Sequence, residues 1–111
     1  MKDWRARQRR FQRDPAAVQL GGLASNLGRI AWCAERDARL QLLPVFRESK
    51  YFTEWAAGSC SLEQQAMLAE LQRELASWER GWASRLQPST IARDAQRWSI
   101  RLLQSAGLLT P

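Results

Sequence analysis

Two pairs of carboxylates, Glu35 with Asp37 and Glu70 with Glu74, have a spacing from which acid–base catalysis can be built. Both pairs lie in segments of mixed charge, where nothing is expected to raise a carboxyl pKa. Histidine is absent from the chain, which removes the commonest general base and the commonest transition-metal ligand together. We therefore predict that the protein is not an enzyme and holds no metal or cofactor, while catalysis by carboxylates alone or by lysine stays formally open.

The two cysteines, Cys33 and Cys60, have no CxxC spacing and no partner ligands at zinc spacing. The pattern favours small buried side chains in a reducing compartment over a redox pair. No apolar run approaches the roughly 20 residues of a membrane span, and no apolar stretch follows the basic N-terminus as in a secretory signal. These features predict a cytoplasmic protein without a membrane span.

The N-terminal segment carries most of the positive charge. Residues 1–13 contain six of the 17 basic side chains and one of the 11 acidic ones, so they hold +5 of the net +6. Arginine forms bidentate bonds with phosphate, and two aromatic side chains seven residues apart share one helix face. The candidate residues of an anion or nucleic-acid site are Trp4, Arg5, Arg7, Arg9, Arg10, Phe11 and Arg13. An anionic membrane is disfavoured as the ligand, because two aromatic side chains offer little apolar area. A solvated terminus, or a helix that docks by its two aromatic side chains, is favoured over such a site, because basic runs are usually solvated.

Apolar residues recur at helical spacing in four segments after the arm. The first follows Asp14-Pro15, the second runs from Leu43-Pro44 to Ala57, the third opens at Ser61 and the fourth runs from Pro88 to Gly107. Residues 37–42 are left open as a loop or a further turn. Short connections favour antiparallel neighbours. The fold prediction is an all-α, four-helix antiparallel bundle domain over residues 14–111, with a basic N-terminal arm or extra short helix over residues 1–13.

Glycine is unusually frequent in the first of these four helices. Gly21-Gly22 and Gly28 resemble part of a phosphate loop, but the Gly-Lys-Ser/Thr ending and the preceding strand are missing. Each glycine costs roughly 1 kcal/mol in a helix interior, so something must offset it. Close approach of a second helix is favoured over a break at Gly21-Gly22.

Some large apolar side chains lie on the apolar stripes of the predicted helices, and others lie outside them. Trp55, Trp78, Trp82 and Trp98 lie on the stripes and are expected in the core. By contrast, Trp32 points away from its stripe, and Ile100 lies on the side of arginines at one-turn spacing. Exposed apolar residues beside arginine are typical of protein–protein contacts. The candidate interface residues are Trp32, Ile100, Arg93, Arg97 and Arg101. For the three arginines, a solvated face paired with Glu70, Glu74 or Glu79 is favoured over a binding site.

These features predict a non-enzymatic protein-interaction module, a helical adaptor or assembly factor. Its partner is expected to be another protein or a second copy of itself, with a homodimer favoured because an identical face most simply covers a spare apolar one. The alternative function is nucleic-acid binding through the arginine-rich arm.

Two short stretches, residues 48–55 (ESKYFTEW) and 98–103 (WSIRLL), resemble a family of short helical proteins of cyanobacteria whose function is unassigned. The likeness covers residues 23–109 in pattern and leaves out the first 13 residues. It implies a cytoplasmic protein of a photosynthetic bacterium, and it carries no implication about chemistry or site residues.

Overall fold

The computed structural model describes residues 3–82 and 87–109, and in these ranges the protein is all-α, without strands. The helices are α1 (Trp4–Arg13), α2 (Ala16–Glu35), α3 (Arg39–Ala57), α4 (Leu62–Gly81) and α5 (Pro88–Ser105). Helix α1 is thus the extra short helix of the fold prediction, and Met1 and Lys2 lie outside the described residues. No helix in the described ranges has the combination of length and hydropathy that a membrane crossing requires.

Local signals in the sequence set several helix ends. Ser61 and Gln64 form the reciprocal capping box at the start of α4, with both bonds present. Pro88 occupies the first turn of α5, where its missing N–H costs nothing. Gly107 follows α5 with a φ of 74°, a left-handed conformation that glycine adopts without strain. The predicted bounds of the last two helices are therefore confirmed within a few residues.

The prediction for the start of α3 was wrong. The helix begins at Arg39, so residues 39–42 are a further helical turn and Pro44 lies inside the helix. Proline removes the hydrogen bond to the carbonyl four residues earlier, here that of Leu40. Both Pro44 and Leu40 lie on the exposed side of the helix. Water can solvate that carbonyl, so the proline is tolerated beyond the first turn.

The predicted apolar stripes form one buried core. The stripe residues of α2 are fully buried in it: Leu20, Leu23, Leu27, Ile30 and Ala34. Trp78, Trp82 and Trp98 are buried in the same core, whereas Trp55 is buried outside it, against the aromatic side chains of α1. Polar side chains also connect the helices. Asn26 of α2 donates to Glu48 of α3 (3.1 Å), and Gln19 of α2 donates to Ser59 beyond the end of α3 (3.0 Å).

Helix α2 runs without a break through Gly21-Gly22, so the continuous alternative is correct. It lies against both α3 and α5, and its contact with α5 is the most extensive between any two helices. A Cβ at position 21 would approach Leu108 Cδ1 to 3.0 Å, whereas one at position 28 would meet nothing within 4 Å. A packed side chain therefore accounts for Gly21, but it belongs to Leu108, beyond the end of α5, and not to the backbone of a second helix as predicted. The structure offers no such explanation for Gly22, whose added Cβ would make only an ordinary contact with Phe11 at 3.9 Å, or for Gly28.

Candidate functional site

Three consecutive residues of α5 show which side of the contact between α2 and α5 faces solvent. Ser99 Oγ of α5 donates to the carbonyl of Ala24 of α2 across 2.9 Å, so Ser99 faces α2. Trp98 is buried on one side of Ser99. Successive residues of a helix are rotated by about 100°. Ile100 therefore lies on the other side of Ser99 from Trp98, where the contact between α2 and α5 meets solvent. Its side chain is 40% exposed.

Three positions of α2, spaced by seven residues, share the solvent side of this helix. Val18 is 51% exposed, Ser25 is exposed, and Trp32 is 55% exposed. Leu108, also exposed, lies over Gly21 and so within one turn of Val18. Val18, Trp32, Ile100 and Leu108 are thus exposed apolar side chains along the solvent side of this helix pair, and we call the surface that carries them the α2–α5 face.

Trp32 is held in place on this face by a neighbouring arginine. The Arg36 guanidinium lies 4.0 Å from the centre of the indole ring, and its Nη1 donates to the Trp32 carbonyl across 3.0 Å. Such a stack fixes the ring without hiding it from solvent. The predicted interface residues Trp32 and Ile100 are therefore exposed large apolar side chains, one on each helix of the α2–α5 face.

The arginine ladder of α5 has a mixed environment. Arg101 pairs with Glu70 of α4 at 2.8 Å, which matches one of the predicted pairings. Arg93 instead pairs with Asp94 of its own helix at 3.1 Å. Glu79 pairs with Lys50 of α3 at 2.7 Å. Among the residues that the structure describes, the predicted pairing with an α4 carboxylate is thus confirmed only for Arg101.

Between α4 and α5 lies an open groove of about 510 Å³. Its lining includes Trp98 and both signs of charge, with Arg73, Arg97 and Arg101 beside Glu70, Glu74 and Asp94. The Arg101 guanidinium covers the Trp98 ring at 4.6 Å from its centre. Arg97 therefore faces this groove and not the α2–α5 face, which separates it from Ile100.

Helix α1 docks on α3 through its aromatic side chains. Trp4 stacks on Tyr51 with ring centres 4.4 Å apart, and Phe11 stacks on Phe52 at 4.5 Å. Trp55 touches both rings of α1 and so closes the cluster. Two aromatic residues that the sequence placed beside arginines are therefore packed against the protein body.

Arg7 anchors the same helix by charge. Its Nη2 bonds Glu48 Oε2 at 2.7 Å, while Asn26 donates to Glu48 Oε1 at 3.1 Å and Arg29 lies 3.8 Å from that oxygen. Burial acts to raise the pKa of Glu48, but the hydrogen bonds from Arg7 and Asn26 and the charges of Arg7 and Arg29 outweigh it. The net pKa of Glu48 is therefore below its ordinary value.

Four other arginines of the N-terminal segment lie at the surface. All four are exposed, and none forms an ion pair with a carboxylate in the described ranges. They are Arg5, Arg9, Arg10 and Arg13. The structure thus divides the predicted anion site. Trp4, Arg7 and Phe11 face α3, whereas Arg5, Arg9 and Arg13 face solvent. Arg10 is exposed at the edge between them, where it lines a small cavity with Asp14 and with Phe52 of α3.

The carboxylates considered for catalysis lie beside basic groups on the surface. Glu35 lies 3.7 Å from Arg36, and Asp37 lies 3.0 Å from Arg39. The side chains of these two pairs, and of the Glu70–Arg101 pair, are all about half exposed. Cys60 is partly buried, and that burial raises the pKa of its thiol. Among the described residues no group of three or more His, Cys, Asp or Glu side chains is placed to hold a metal ion.

Sequence reasoning missed several participants. Glu48 reads as one charge among many in α3, and only the folded chain brings Arg7, Asn26 and Arg29 to it. Val18 shares a seven-residue spacing with Trp32, a signal that was available in the sequence. Leu108 follows the closing Gly107, and nothing in the sequence indicates that the chain then folds back over Gly21.

No family model, no curated protein and no solved structure matches the chain. The resemblance to a cyanobacterial family therefore stays a prediction, and the geometry of the surfaces alone supports the proposals that follow.

Proposed function

We propose that this protein acts by binding and not by catalysis, as an interaction module that pairs with a second copy of itself through the α2–α5 face. One observation carries the proposal: four of the exposed large apolar side chains lie along the solvent side of α2 and α5, the two helices with the most extensive contact. Scattered exposed apolar residues need no explanation, but a contiguous apolar surface marks an interaction site.

The α2 positions are self-complementary. When α2 pairs antiparallel with α2 of a second copy about a twofold axis at Ser25, Trp32 of each copy lies opposite Val18 of the other. Both residues are seven positions from the centre, so the large indole meets the smaller valine. Ser25 and Gly28 are small residues, so the two α2 helices can approach closely at the middle of the contact. A Cβ added at Gly28 would meet no atom of the same chain within 4 Å. A twofold interface requires such a match of one surface with itself.

Charged residues at the two ends of α2 support the same antiparallel alignment of the two copies. Arg36 lies eleven residues after Ser25, and Asp14 lies eleven residues before it. In the proposed pair each Arg36 therefore reaches the region of Asp14 of the second copy. Asp14 is exposed and has no ion pair among the residues that the structure describes. Opposite charges at the rim of an interface favour this orientation over a parallel one.

The scaffold for this face is, in our proposal, a four-helix antiparallel bundle of α2 to α5 with α1 docked on α3. Hydrogen-bonded residues fall in reverse order along neighbouring helices, which supports it. Gln19 pairs with Ser59, and Asn26 further along α2 pairs with the earlier Glu48. The same order holds for α4 and α5, through Gln64–Ser105 and Glu70–Arg101.

The test is light scattering coupled to size exclusion, from micromolar concentrations upward and at low and high salt. We expect a dimer that persists at high salt, because burial of apolar surface is not screened by ions. Trp32→Glu should weaken the dimer at least about thirtyfold, since losing an interface tryptophan costs about 2 kcal/mol or more.

Leu62→Glu is the matched control for this substitution. Leu62 is 84% exposed at the first position of α4, away from the α2–α5 face, and a glutamate there suits the helix start. This variant should remain dimeric. A monomer at every concentration, or equal effects of the two substitutions, would overturn the proposal.

A further inference from the structure

Helix α1 has two chemically different faces, and its docking on α3 determines which one meets solvent. Trp4 and Phe11 stack on α3, and Arg7 pairs with Glu48. The solvent-exposed side carries the four arginines Arg5, Arg9, Arg10 and Arg13, with Arg10 at its edge. We call these four residues the α1 arginine strip.

The spacing of the strip is regular. Arg5, Arg9 and Arg13 are four residues apart, so successive guanidinium groups rise by about 6 Å along the helix. Arg10 lies at the edge of this row, where it lines a small cavity with Asp14 and with Phe52 of α3. Because α1 is held against α3 by two aromatic stacks and an ion pair, these charges project from a fixed support. Preorganised side chains lose less entropy when a ligand binds.

Some other exposed arginines have a carboxylate partner nearby. Arg36, Arg39 and Arg101 each have a carboxylate within 3.7 Å. Four more have no ion pair among the described residues, as in the strip, but they are spread over three helices and form no row: Arg47, Arg73, Arg80 and Arg97. Asp3, at the start of α1, accepts from the Ala6 backbone N–H as the helix cap. The strip therefore keeps its charge available for an external anion.

We propose that the α1 arginine strip binds the phosphodiester backbone of nucleic acid, without reading bases. A linear row of guanidinium groups suits a polymer with regularly repeated phosphates, which arginine binds through paired hydrogen bonds. The two aromatic side chains of α1 are packed against α3 and cannot stack on bases. Contacts to phosphates alone carry no sequence information.

The same geometry disfavours a membrane surface as the ligand. Helices that lie in a bilayer interface bury an apolar face in it. In α1 that apolar face is occupied by Tyr51, Phe52 and Trp55 of α3. The outward side offers only Ala6 between the arginines.

The number of phosphate contacts predicts how the affinity for nucleic acid depends on salt concentration. Four phosphate contacts predict a slope of about −3.6 in log affinity against log salt for duplex DNA, so affinity falls about a hundredfold for a fourfold rise in salt. The measurement is fluorescence anisotropy of labelled duplexes of two unrelated sequences, titrated with the full chain. We expect equal affinities for both duplexes and this slope.

The decisive variant replaces the whole strip, R5Q/R9Q/R10Q/R13Q. Glutamine is a good helix former, so α1 should stay folded, as circular dichroism will show. The matched control R47Q/R73Q/R80Q/R97Q removes the same number of charges from exposed arginines elsewhere. Binding should fall at least a hundredfold in the first variant and should retain a slope near that of the original chain in the second.

Three outcomes would overturn the proposal. The first is equal loss in both variants, which would assign binding to net charge. The second is a clear preference for one sequence, which would require base contacts. The third is binding to anionic phosphatidylserine vesicles or to polyglutamate but not to duplex DNA. The strip and the α2–α5 face are made of different residues, so this proposal does not depend on self-association.

Discussion

Two junctions of the molecule are built from the same three groups. In each, an arginine lies over a tryptophan of its own helix and pairs with a glutamate of another. Arg7 lies 5.1 Å from the ring centre of Trp4 and 2.7 Å from Glu48. Arg101 lies 4.6 Å from the ring centre of Trp98 and 2.8 Å from Glu70.

What differs is the surroundings. The side chains of Arg7 and Glu48 are 25% and 14% exposed, and Asn26 adds a second hydrogen bond to the carboxylate. The side chains of Arg101 and Glu70 are both 50% exposed beside an open groove. Water screens the second pair far more than the first. Similar geometry therefore implies very different contributions to stability.

Removing the carboxylate of the buried junction should have the largest effect. Glu48→Ala leaves Arg7 largely buried without its ionic partner and deprives Asn26 of its acceptor. Breaking a buried pair by removing one member typically costs about 3 kcal/mol. Urea unfolding should show a loss of about that size.

The replacement Glu48→Gln keeps the shape of the side chain and one acceptor oxygen, so its cost should be smaller than that of Glu48→Ala. Equal and small losses in both variants, well below 1 kcal/mol, would contradict the contrast between the two junctions.

The importance of Glu48 was not predictable from the sequence, whereas much of the helical framework was. The stripe of α4 and the capping box at Ser61 are local patterns, since each is set by residues within a few turns. Glu48 acquires its role from Arg7, 41 positions away, and from Asn26, 22 positions away. Such contacts depend on which helices become neighbours, and one sequence alone does not specify that.

The start of α3 and the division of the N-terminal arginines were missed for related reasons. Pro44 is an ordinary signal for a helix start, and exposure of the freed carbonyl lets the helix extend to Arg39. Arg7 and Arg9 look equivalent in the sequence, yet one faces α3 and the other solvent. The orientation of α1 decides this, and it follows from Trp4 and Phe11 finding aromatic partners on α3.

The second largest effect is expected at low pH, where the contribution of the buried Arg7–Glu48 junction to stability should fall. The pKa of Glu48 is lowered in the folded protein from an ordinary value of 4.5. Its contribution to stability is therefore fully present above pH 4.5 and is lost as the pH falls through the folded pKa. The difference in unfolding free energy between the original chain and Glu48→Gln should shrink steadily below pH 4.5.

Other carboxylates titrate in the same range, so the comparison of these two chains at each pH is essential. Glu70→Gln serves as the control, because its difference from the original chain should stay near zero throughout. A difference for Glu48→Gln that does not change between pH 6 and pH 3 would show that the Glu48 charge adds nothing to folding.

The exposed junction should respond least. Glu70→Ala removes the partner of Arg101, but that guanidinium remains solvated and keeps its contact with the Trp98 ring. Exposed ion pairs contribute about 0.5 kcal/mol, and alanine suits a helix interior. Urea unfolding should therefore shift by no more than about that amount, and high salt should erase the difference, since exposed charges are screened. A loss near that of Glu48→Ala would mean that the α4–α5 groove is closed to water in solution, and the contrast between the junctions would fail.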